Sequence, residues 1–74
     1  MISEEEAIEA ARQLAAAQGW TWRLPVQIRR TRTFFLFGRT RYRILTNAGM
    51  RGCNVWITMD AQDGTILTAG FSPR

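Results

Sequence analysis

The chain has 74 residues with ten arginines, no lysine, no histidine, six acidic residues and one cysteine, for a net charge of +4. A length this short allows one domain over residues 1–74 and one small core, worth at most ~3–5 kcal/mol, so regular packing or a homodimer is expected. The lone Cys53 excludes an intrachain disulfide, and the missing histidine and lysine remove the common base, nucleophile and metal-ligand combinations, so no catalytic site, metal or cofactor is expected.

The charge is segregated along the chain. Residues 1–19 sum to minus three, residues 20–54 hold eight arginines and no carboxylate, and residues 55–74 sum to minus one. Arginine carries a planar donor fork that stacks on aromatic rings and pairs bidentately with carboxylate or phosphate. The basic middle therefore fits an acidic protein, nucleic acid or anionic lipid. The plainer reading is a solvated arginine-rich sheet face of the kind common in GC-rich bacterial genomes. No apolar run reaches the ~18–20 residues that span a bilayer and no charged-then-apolar leader opens the chain, so a soluble, cytoplasmic protein is expected.

The first element is a helix over residues 4–18. Ser3 is its cap, Glu6 completes a capping box, Ile2 is the hydrophobic staple, and Glu4, Glu5 and Glu6 lie at the positive end of the helix dipole. Ile8, Ala11, Leu14, Ala15 and Gln18 follow three-and-four spacing, and Gly19 supplies the left-handed stop. The apolar stripe is narrow and small, which suits a helix lying close on a sheet.

After Gly19 the period becomes two. Trp20, Trp22, Leu24, Val26 and Ile28 alternate with polar positions, but Pro25 lacks a ladder donor, so this strand sits at an edge or begins only at Val26. Phe34–Phe37 is either the core-facing end of a hairpin or a sticky edge that a partner covers, and Gly38 is a plausible turn. A second strand, Arg39–Thr46, sets Arg39, Arg41 and Arg43 on one face and Tyr42 and Ile44 on the other. A loop over residues 47–52 leads to a third strand, Cys53–Met59, in which Cys53, Val55, Ile57 and Met59 alternate with Asn54, Trp56 and Thr58. Asp60 to Gly64 reads as a tight turn with positive φ at Asp63-Gly64, and Thr65–Phe71 is the last strand. Asp60 and Asp63 are turn formers in this reading, since the ligand series of a calcium loop is missing. Cys53 reads as a small buried apolar residue. The fold class is α+β: one N-terminal helix packed on a three- to four-stranded antiparallel sheet.

The leading Glu5 to Ala11 segment and the later run Val55 to Leu67, with its Asp60-Ala61-Gln62-Asp63-Gly64 turn, resemble the small PepSY-type domain. The likeness covers roughly half the chain, and the family pattern does not extend to the arginine-rich middle. It implies a helix on an antiparallel sheet and a non-enzymatic, inhibitory or regulatory role in binding protein. Asp60, Ala61 and Gly64 match as turn residues, and no functional residue carries over.

Alternation gives the sharper expectation. With Tyr42, Ile44, Val55 and Ile57 turned to the helix, Arg39, Arg41, Arg43, Trp56 and Thr58 face the other way. Tryptophan and arginine are enriched at interface hot spots, and the same pair can stack bases on a sheet. Three uses compete: a protein partner on the open face; nucleic acid through Arg29, Arg30, Arg32, Arg39, Arg41 and Arg43; or a homodimer packed sheet to sheet or edge to edge. Protein binding or self-association leads, because the RNA-recognition aromatic signature is missing around Phe37-Gly38-Arg39-Thr40 and the acidic helix would repel phosphate if it lay nearby.

Overall fold

The computed structural model describes residues 1–32, 40–50 and 52–72. One helix, α1 (Glu4–Gln18), is followed by four strands, β1 (Gln27–Arg32), β2 (Thr40–Leu45), β3 (Asn54–Asp60) and β4 (Ile66–Ser72). The strands form an antiparallel meander in the order β1-β2-β3-β4. The helix covers one face, resting on β2 and β3, which is the expected α+β arrangement with four strands.

The helix forms where its caps specify. The Ser3 hydroxyl accepts from Glu6 N–H at 3.1 Å, and the Glu6 carboxylate accepts from Ser3 N–H at 3.0 Å. These bonds with Ser3 hold the Glu6 carboxyl below the usual carboxylate range. Gly19 ends the helix at φ 75, in the left-handed region that only glycine occupies without a Cβ penalty. The N-terminal strap is then sewn to the sheet: Ile2 N–H donates to Ala61 O at 2.8 Å, and the Tyr42 hydroxyl donates to Ile2 O at 2.9 Å.

Ala7, Ala11 and Ala15 are fully buried and stand one turn apart along a single ridge. They meet Tyr42, Ile44, Val55, Ile57 and Met59, all buried on the facing side of β2 and β3. Ile8 and Leu14 flank this ridge half-buried, whereas Gln18, placed in the stripe by spacing, is exposed in the last turn. Three methyl groups in place of larger side chains let the helix axis come close to the sheet, so a short chain closes its core with little apolar volume.

The stretch before β1 departs from the alternating reading. Trp20 and Trp22 do pack against the core, and Trp20 stacks on Phe71 with ring centroids 6.1 Å apart, but Leu24 is exposed and the ladder begins at Gln27. The backbone of residues 23–25 is engaged elsewhere: Asn47 N–H donates to Arg23 O and Ala48 N–H to Pro25 O. β1 is an edge strand, and it starts after Pro25, so the missing donor of Pro25 falls outside the ladder. The expected strand start at Cys53 is also corrected, because Cys53 has φ 50, is half-buried and precedes β3. Thr46 continues β2 in function if not in ladder geometry, its hydroxyl accepting from Val55 N–H at 2.8 Å. Phe34–Phe37, Gly38 and Arg39 lie outside the described residues.

The alanine ridge makes a direct expectation. Ala11→Leu should lower unfolding free energy by about 1–3 kcal/mol in urea denaturation through overpacking, while Ala16→Leu on the exposed side should change it by less than about 0.5 kcal/mol. Equal responses at the two positions would contradict the close helix-to-sheet approach.

Candidate binding face of the sheet

The face away from the helix carries three cross-strand rows beside the Asn54–Ser72 pair at its end. Gln27, Leu45, Trp56 and Gly70 form the first; Arg29, Arg43, Thr58 and Thr68 the second; Thr31, Arg41 and Asp60 the third. Arg29, Arg41, Arg43 and Trp56 therefore share one surface, as alternation required. Arg30 and Arg32 do not: they pair with Tyr42 and Thr40, residues of helix-side parity, and project exposed on the other side of the edge strand. Arg39 lies outside the described residues.

Trp56 is held by what lies beneath it. A Cβ added at Gly70, its neighbour on β4, would fall 2.0 Å from Trp56 Cζ2 and 2.5 Å from Cε2, so the indole lies directly on the glycine backbone. One ring surface is used in this contact and the side chain remains 44% exposed. Pairing an aromatic across from a strand glycine covers backbone that would otherwise face water. Nothing in the local sequence around Ala69-Gly70-Phe71 signals this role, since it appears only once β3 and β4 are in register.

Beside the indole lies a hollow of about 370 Å³, lined by Gln27, Arg29, Arg43, Leu45, Trp56 and Thr58 among others. The Gln27 amide, turned so that its oxygen faces Arg29, accepts from Nε at 2.8 Å and from Nη2 at 3.0 Å, which fixes that guanidinium at the rim. Arg29 and Arg43 stand directly opposite each other. Gln27 and Leu45, both lining residues, are visible in the sequence only as ordinary strand positions.

Charge is separated across the layers as well as along the chain. Glu4, Glu5, Glu6 and Glu9 belong to the helix layer, on the far side of the sheet from Arg29, Arg41 and Arg43. Arg12 on the same helix pairs with Glu9, Nε to Oε2 at 3.0 Å, and its bond holds the Glu9 carboxyl below the usual carboxylate range. The acidic helix is thus not positioned to repel an anion from the bare face, with the exception that Asp60 ends the row containing Arg41. Asp60 is buried, and its carboxylate accepts from Gln62 N–H at 2.8 Å within the turn, as the Asp63 carboxylate accepts from Thr65 N–H at 2.9 Å. Gly64 has φ 80 and closes the turn with its N–H on Asp60 O.

Among the described residues no cluster of three His, Cys, Asp or Glu side chains could hold a metal ion, and no helix is long and apolar enough to cross a membrane. Neither a family model nor a curated protein nor a solved structure matches the chain.

The indole-on-glycine contact is open to test. Gly70→Ala should lift the Trp56 ring off the sheet, shifting tryptophan emission to the red and raising quenching by acrylamide. It should also forgo the gain of about 0.5–1 kcal/mol that alanine otherwise brings over glycine within a strand. Unchanged emission with a stability gain would place the indole elsewhere.

Proposed function

We propose that the chain is a non-enzymatic binding module whose bare sheet face takes a protein partner, in an inhibitory or regulatory role of the kind the PepSY-like ends imply. The observation that carries this reading is Trp56, held flat on Gly70 with its outer surface open and Arg29 and Arg43 beside it. A large aromatic fixed in place before binding loses little side-chain entropy on contact, and tryptophan and arginine supply a disproportionate share of interface energy. Nucleic acid is less well served. Stacking of successive bases uses several aromatic platforms, and Trp56 is the one aromatic in the three described rows of this face. The carboxylates of Asp60 and Asp63 are occupied in turn formation, which favours binding over catalysis.

Affinity capture from native lysate with the wild-type chain and Trp56→Ala tests this reading. The captured protein should survive nuclease treatment and salt of about 200 mM, and be lost with Trp56→Ala, whose unfolding free energy should fall by no more than about 1 kcal/mol. Capture abolished by nuclease, or a stability loss as large as the binding loss, would overturn it.

A second reading, self-association, is favoured by a contrast between the two sheet edges. The β1 edge carries Arg29, Arg30 and Arg32, whereas β4 has neither charge nor proline and exposes Ile66 and Leu67. Charged residues guard a strand edge against pairing, and an uncharged apolar edge invites it. Pairing of two β4 strands would join two sheets while leaving both bare faces open. Sheet-to-sheet packing through the bare faces would instead set arginine rows against each other. Light scattering should give a dimer mass for the wild type and a monomer mass for Leu67→Lys; a wild-type monomer at millimolar concentration would exclude edge pairing.

A further inference from the structure

The register of the bare face imposes a spacing on whatever it binds. Arg29 and Arg43 are directly opposite, where like charges repel, and the next positions in their row are the uncharged Thr58 and Thr68. An oxyanion between the two guanidinium forks replaces that repulsion with two charge-assisted contacts. The turned Gln27 oxygen takes the Nε–Nη2 edge of Arg29, which leaves the Nη1 amino group of that guanidinium to an anion. Trp56 stands two residues before Thr58 on β3, which makes it the diagonal neighbour of Arg43 on the same surface. Diagonal neighbours are ~7–8 Å apart.

An extended chain repeats its same-side side chains every two residues, at ~6.6–6.8 Å. Neighbours on a helix face are closer, at ~5–6 Å. Resting on the protein-binding reading above, we infer that the hollow binds an extended acidic segment in which Asp or Glu stands two residues from an aromatic or large aliphatic residue. The carboxylate lies between Arg29 and Arg43, and the apolar side chain lies on the open surface of the Trp56 indole. The hollow of about 370 Å³ is of the size that encloses small groups in binding sites generally. The partner's charge is set by complementarity: the rim offers two cations, with the acidic helix on the far side of the sheet.

The test uses the full chain at about 50 mM salt and three probes followed by amide and indole NMR shifts. They are the peptides Gly-Ser-Glu-Ser-Phe-Ser-Gly and Gly-Ser-Ser-Glu-Phe-Ser-Gly, and oligothymidylate. The spaced peptide should bind at least severalfold more tightly than the adjacent one, with the largest shifts at Trp56, Arg43 and Thr58. Arg43→Gln should weaken it on the order of tenfold, as expected for loss of a charged hydrogen bond. Trp56→Ala should erase the preference between the two peptides. Equal binding of both peptides, or binding insensitive to Arg43→Gln, overturns the spacing inference and leaves protein binding standing. Failure of both peptides alongside nuclease-resistant, Trp56-dependent capture from lysate does the same. Oligothymidylate binding through Trp56 with neither peptide bound overturns both readings.

Discussion

The close seating of α1 on β2 and β3 is the constraint from which the rest follows. Ala7, Ala11 and Ala15 bring the helix down onto Tyr42, Ile44, Val55, Ile57 and Met59, and these eight side chains decide which side of the sheet is inside. Strand geometry leaves no freedom after that. Each odd residue of β2 and each even residue of β3 must face the other way, so Arg41, Arg43 and Trp56 are brought to one surface by the packing of their neighbours. Slipping one strand by one residue would bury a guanidinium and expose an isoleucine, a change the core would not survive.

A small chain gains from this economy. Alanine loses almost no side-chain entropy on burial, and the N-terminal strap adds directed bonds where apolar volume is scarce, through Ile2 to Ala61 and Tyr42 to Ile2. The same separation of layers disposes of a conflict visible in the composition. Acidic and basic stretches would attract if they lay side by side, and their pairing would consume the arginines. Divided by the sheet, the helix carboxylates pair locally, as Glu9 does with Arg12, and the arginines of the bare face remain available to a partner.

Much of this was legible in the residues. The helix was readable to its last residue because both ends carry stereochemical signals: Ser3 with Glu6 at one, Gly19 at the other. Strand parity in β2 and β3 was readable because the apolar residues there are large and strictly alternating. What could not be read depends on register or on distant backbone. The alternation from Trp20 to Val26 mimics a strand, yet that stretch spends its carbonyls on Asn47 and Ala48, a contact between segments more than twenty residues apart. Arg30 and Arg32 resemble Arg29 in composition but lie on the opposite side through parity alone. Gly70 was silent because a glycine acquires meaning under an indole only when the two strands have been aligned.

The central claim is that the Trp56 indole and the Arg43 guanidinium occupy the side of the sheet that α1 does not cover. The most direct measurement is the set of nuclear Overhauser contacts of the Trp56 ring protons in solution. The account expects contacts to Gly70 Hα and to the side chains of Leu45 and Arg43, with none to the methyl groups of Ala7, Ala11 or Ala15. Contacts from the indole to those alanine methyls would place it under the helix and contradict the account.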